Sequence, residues 1–211
     1  AGDSSDLLTI VGTYRGLVNL GDGTDKLTFG DKGVSITASN VETIISGSGK
    51  DSITINTQAT ASTVDMGDGD DILKLSSYDN TITVSNAETI LGGSSDDTVT
   101  LGAGLTKGLI SLGAGTDSLT LGDFANSITV SGVETITGGA SSDIIVLKEA
   151  VSTVTIDLKG GDDVLYISAS GATLTVSNAE SIIGSDVADV ITLGSSGNGV
   201  SIDLGAGNDR V

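Results

Sequence analysis

Nine aspartates stand in two phased series, and their spacing is the first sign of chemistry. Asp25, Asp71, Asp117, Asp163 and Asp209 recur every 46 residues; Asp51, Asp97, Asp143 and Asp189 recur at the same interval. The first series closes turns of one pattern: Gly21-Asp22-Gly23-Thr24-Asp25, Gly67-Asp68-Gly69-Asp70-Asp71, Gly113-Ala114-Gly115-Thr116-Asp117 and Gly205-Ala206-Gly207-Asn208-Asp209. The remaining member, Lys159-Gly160-Gly161-Asp162-Asp163, has lysine at the first glycine position. The second series opens as Gly47-Ser48-Gly49-Lys50-Asp51 and then decays, with Ser95, Ser141 and Val187 replacing the second glycine. Glycine accepts the positive φ that lets a tight turn aim its carbonyls inward. Carbonyls and carboxylates together are the oxygen donors that a hard divalent cation takes.

The composition agrees with a cation as the ligand. Acidic residues number 28 against 9 basic ones over 211 residues, for a formal net charge of −19. Such a chain lacks the clustered Lys and Arg that nucleic acid or an anionic membrane surface requires. No stretch is long and apolar enough to span a bilayer, and the start of the sequence lacks the pattern of a signal peptide. The absence of cysteine rules out a disulfide framework, so a secreted version needs another cross-link between its turns. Histidine is also absent, and the many serines have no evident base to activate them. A carboxylate pair that recurs in every unit is unlike a catalytic pair, which occurs once, so no enzyme activity is expected.

The elements that must position these aspartates are short strands. Apolar residues alternate as Leu27/Phe29, Val34/Ile36, Val41 with Ile44, Ile53/Ile55 and Val64/Met66, and the next 46 residues repeat the set. Each pair is bounded by Gly, Ser, Asn or Asp, the signature of half-buried strands. The expected fold class is all-β: a right-handed parallel β-solenoid without helix, in 46-residue repeats of two coils each. The interleaved aspartates are separated by long and short gaps in alternation, Asp25 to Asp51 and then Asp51 to Asp71. Coils of three strands are therefore expected to alternate with coils of two. The array is read as one domain over 1–211, with a partial unit 1–19, units 20–65, 66–111, 112–157 and 158–203, and a truncated unit 204–211. Asp6 adds one more rung, and ten rungs at ~4.8 Å make a rod roughly 45 Å long.

The Gly-x-Gly-x-Asp turns, and above all Asp203-Leu204-Gly205-Ala206-Gly207-Asn208-Asp209, resemble the RTX family of hemolysin-type calcium-binding repeats. The segments Ser39-Asn40-Val41-Glu42 and Ser85-Asn86-Ala87-Glu88 resemble linker strands of bacterial S-layer proteins and adhesins. The resemblance implies a β-roll with Ca2+ held between adjacent turns, so that Asp25 shares an ion with Asp51, and Asp71 with Asp97. It implies export through type I secretion and folding outside the cell. Carboxylates ~4.8 Å apart repel by about 1 to 3.5 kcal/mol, so the metal-free chain is expected to be loosened or unfolded.

Two further patterns are expected to be structural. The series Glu42, Glu88, Glu134 and Glu180 reads as a solvent-facing strand position. The Ser35/Thr37, Thr81/Thr83, Ser127/Thr129 and Thr173/Thr175 pairs suit exposed strand positions, and they are expected only on every second coil. The overall expectation is an extracellular calcium-binding structural repeat of a bacterial surface protein: an S-layer, filament or adhesin stalk. The alternative is the calcium-triggered folding module of a secreted toxin or hydrolase. The open end at Val211 suggests self-association, end to end or lateral, or continuation into a longer array.

Overall fold

The computed structural model describes residues 2–168, 171–194 and 199–211. Twenty-two strands follow one another: β1 (Leu7–Ile10), β2 (Arg15–Asn19), β3 (Lys26–Phe29), β4 (Ser35–Ser39), β5 (Thr43–Ile45), β6 (Ser52–Ile55), β7 (Thr60–Asp65), β8 (Ile72–Lys74), β9 (Thr81–Ser85), β10 (Thr89–Gly93), β11 (Thr98–Leu101), β12 (Thr106–Gly113), β13 (Ser118–Thr120), β14 (Ser127–Ser131), β15 (Thr135–Thr137), β16 (Ile144–Leu147), β17 (Val151–Asp157), β18 (Val164–Ile167), β19 (Ala172–Ser177), β20 (Ser181–Ile183), β21 (Val190–Leu193) and β22 (Ser201–Asp203). Among the described residues there is no helix.

The odd-numbered strands form one parallel sheet of 11 strands and the even-numbered strands a second. The chain thus winds as a right-handed parallel β-solenoid of about ten turns. Each coil has one strand in each sheet. Coils differ in length: Ser35 pairs with Ser52 across a short coil, whereas Thr60 pairs with Thr81 across a longer one.

The alternating pairs pack as the sequence predicts, with one apolar side chain after another aimed at the axis between the sheets. In the second sheet Ile36, Ile53, Leu73, Ile90 and Ile110 are register partners in series, and none exceeds 4% exposure. Fully burying each such side chain contributes about 1.5 to 3 kcal/mol, and only the coils above and below provide the cover.

The coil count per repeat differs from expectation. A 46-residue unit holds five strands and a coil holds two, so the repeat spans two and a half coils rather than two. Among the described residues no coil has three strands. Asp25 accordingly precedes β3 in the first sheet, whereas its counterpart Asp71 precedes β8 in the second. Successive repeats carry the same turn on opposite edges of the solenoid.

Candidate functional site

Eight of the nine aspartates stand immediately before a strand with the side chain turned inward, and Asp209 precedes the bridge made by Arg210. Asp25, Asp51, Asp71, Asp97, Asp117, Asp143, Asp163 and Asp189 are all at most 1% exposed. The turn explains the position: the N–H of the residue just before each strand needs an acceptor, and a short carboxylate reaching across one coil supplies it. Asp51 donates its N–H to Asp71 Oδ1 at 2.7 Å, and the same 2.7 Å bond joins Asp6 to Asp25, Asp97 to Asp117 and Asp143 to Asp163. Asp189 donates likewise to Asp209 Oδ1 at 2.9 Å.

The Glu series continues these ladders and is not a solvent-facing strand position. Glu42 Oε2 accepts the Asp25 N–H at 2.7 Å, Glu88 that of Asp71 at 2.8 Å, Glu134 that of Asp117 at 2.7 Å and Glu180 that of Asp163 at 2.8 Å. Glutamate follows the αL corner at Asn40, Asn86, Gly132 or Asn178, and its longer side chain bridges to the rung below. Four carboxylate triads result: Asp6/Asp25/Glu42 and Asp97/Asp117/Glu134 on the first-sheet edge, and Asp51/Asp71/Glu88 and Asp143/Asp163/Glu180 on the second-sheet edge. The signal was present in the sequence, since Glu42 follows Asp25 at the spacing that separates Ser52 from Ser35, the length of a short coil.

This stacking corrects the expected pairing. Asp25 and Asp51 begin strands of different sheets, as do Asp71 and Asp97, so neither pair can share an ion. The true neighbours are the closer-spaced aspartates of the interleaved series, Asp51 with Asp71 and Asp97 with Asp117. The wider-spaced ones lie on opposite edges.

The second carboxylate oxygen separates the two series. Oδ2 of Asp25, Asp71, Asp117 and Asp163 is buried without a hydrogen-bond partner, as are Oδ2 of Asp6 and Asp143. Asp143 is the exception within the second series, whose other members have this oxygen satisfied locally. Ser46 Oγ donates to Asp51 Oδ2, Gly93 N–H to Asp97 Oδ2 at 3.3 Å, and Ser185 N–H to Asp189 Oδ2 at 3.0 Å. Buried carboxylate oxygens without partners are costly, and a bound cation is one way to satisfy them.

Backbone geometry draws the same line. Gly23, Gly69, Gly115, Gly161 and Gly207 all have φ between 138° and 154°, whereas Gly47 and Gly49 keep negative or extended φ despite their regular sequence. At Gly69 an added Cβ would lie 2.6 Å from Asp71 Oδ1, 3.0 Å from its Oδ2 and 2.8 Å from the Gly49 carbonyl oxygen of the coil below. Carboxylate and carbonyl therefore flank one small space that only glycine leaves open. Lys159 takes the αL position of the first glycine (φ 71°), and its ammonium pairs with Asp157 at 2.7 Å, away from Asp163.

Electrostatics concentrate at the central members of the triads. Burial raises the pKa of Asp71 from 3.8 to about 7, with Asp51, Glu88 and Asp70 adding to the rise against the hydrogen bond from Asp51. Burial likewise raises Asp117 and Asp163 to about 6 each, and Asp143 rises from the same cause.

Among the described residues no three carboxylates converge on one point. A calcium ion here would take one or two carboxylates, from a regular turn and its neighbour, and complete its shell with turn carbonyls and water. The residues of the regular turns fit that requirement. Those of the turns ending at Asp97 and Asp189, where the carboxylate is already bonded, do not. The chain matches no family model, no curated protein and no solved structure.

Proposed function

We propose that the chain is an extracellular calcium-binding structural repeat of a bacterial surface protein, with ions at the turns closed by Asp25, Asp71, Asp117 and Asp163. The observation that carries this reading is the orphaned Oδ2 of those four aspartates, each beside a glycine turn of positive φ. A cation there converts the repulsion between a regular-turn aspartate and its carboxylate neighbour into shared attraction, so the ion staples one coil to the next. The chain is then made without calcium, exported unfolded and folded outside the cell, where calcium is abundant, and it carries load rather than chemistry.

Far-ultraviolet circular dichroism during a calcium titration tests the proposal, with magnesium as the control. The expected result is a cooperative gain of β signal specific to calcium, because the loose oxygen site suits calcium better than octahedral magnesium. A full β signal in chelator that calcium leaves unchanged would show that the aspartates serve only as acceptors for backbone N–H groups of the turns.

A further inference from the structure

The outward face of the first sheet carries a hydroxyl array denser than the sequence predicts. Thr81 and Thr83 on β9 flank the buried Ile82, and each of the next three odd-numbered strands repeats the arrangement, ending at Thr135 and Thr137 on β15. The pairs are register partners coil after coil, without a bulge, and only Ser118 departs from threonine. The array therefore recurs on every coil here, because the half-coil offset between repeats brings threonines from different parts of the unit into one sheet. None of these hydroxyls hydrogen-bonds to another of the described residues.

We infer that this face binds an ordered lattice of water, that is, the surface of an ice crystal. Its geometry is set by the backbone: rungs repeat at ~4.8 Å, and alternate residues of a strand are ~6.6 Å apart. Both distances are of the size of oxygen repeats in hexagonal ice. The chemistry of the face argues against other ligand classes. The outward positions of the four strands carry no charge, and acidic groups stand at the margins: Asp157 beyond Thr137 in its column, Asp65 one column aside, and Asp79 and Asp96 in the turns that lead to Thr81 and Thr98. The array has no aromatic ring to stack on a sugar, and no large apolar group to anchor a protein. Regular methyl and hydroxyl pairs can instead hold water in a two-dimensional register, which the β-branched rotamer preference of threonine keeps ordered.

An ice-recrystallisation assay on the purified chain tests this, in whichever of calcium or chelator gives the β spectrum, so that the outcome is independent of the cation proposal. The wild-type chain should keep ice grains small. The T100Y/T120Y double variant, at the centre of the array, should need about tenfold more protein for the same effect. The T37Y/T54Y variant places the same bulk on paired outward positions of the second sheet and should match wild type. Absence of inhibition by wild type, retention of activity by T100Y/T120Y, or equal loss in both variants would overturn the inference. So would adsorption to crystalline cellulose or chitin without any effect on ice.

Discussion

Asp71 and Asp97 have the same backbone role and opposite electrostatic needs. Both accept a backbone N–H of the preceding coil through Oδ1, but Asp97 has a second partner in Gly93 N–H and Asp71 has none for Oδ2. Asp97→Asn should therefore cost about 1 kcal/mol of stability with or without calcium, by leaving that N–H without its carboxylate acceptor. Asp71→Asn should raise the apo midpoint, since it removes a buried charge, and should lower the calcium stoichiometry by one in a calorimetric titration. A higher apo midpoint in D97N than in D71N would contradict this division of roles. Proton binding follows the same logic. The folded-state pKa values of Asp71, Asp117 and Asp163, about 7, 6 and 6, lie above the value of 3.8 for the free group. The folded chain thus holds more protons than the unfolded chain between those limits, and stability falls as pH rises through 6 to 7. Thermal unfolding in chelator should show a higher midpoint at pH 4.5 than at pH 7.5. With calcium present the order should reverse, because the ion competes with protons for the same oxygens.

At the scale of strand and turn, glycines that look alike in the sequence are not equivalent. Gly69→Ala forces a Cβ against the Asp71 carboxylate and the Gly49 carbonyl at φ 154°, and should destabilise by about 1 to 3 kcal/mol. Gly160→Ala meets open space and should change the denaturation midpoint little. The strands themselves were legible because alternation of Ile, Leu and Val against Ser and Thr specifies which face is buried, and the five pairs of each unit are the observed inward residues. The coil boundaries were not. The corner at Asn40 turns the chain as fully as the Gly-Asp turns do, yet Asn in αL (φ 53°) with glutamate shortly after carries no glycine pair to mark it. Asn80 and Asn126 were missed for a similar reason. Each occupies an aspartate position in the ladder as a neutral residue, donating Nδ2 to the next carboxylate at 2.7 and 2.9 Å. The Gly-Asp turns were legible as a set. What separates Gly47-Ser48-Gly49 from the rest is the Ser46 hydroxyl that satisfies Asp51, a detail of three-dimensional placement.

The whole molecule is a stack in which each coil touches only its neighbours, so it should tolerate loss of a complete repeat. Deleting residues 66–111 joins Asp65 to Leu112, the counterpart of Met66, and keeps every strand pairing available. Small-angle scattering in calcium should show a folded rod shorter by about 12 Å, the height of two and a half coils. An unfolded or aggregated product would mean that particular units, rather than the repeat rule, hold the array together.

Two and a half coils per unit also make the repeat a rotary counter. Adding or removing one unit advances everything downstream by half a revolution, so parity decides the side on which any following segment emerges. Duplication of a single unit, a change to which a repetitive gene is prone, would therefore reverse the facing of an attached surface without altering one residue within it.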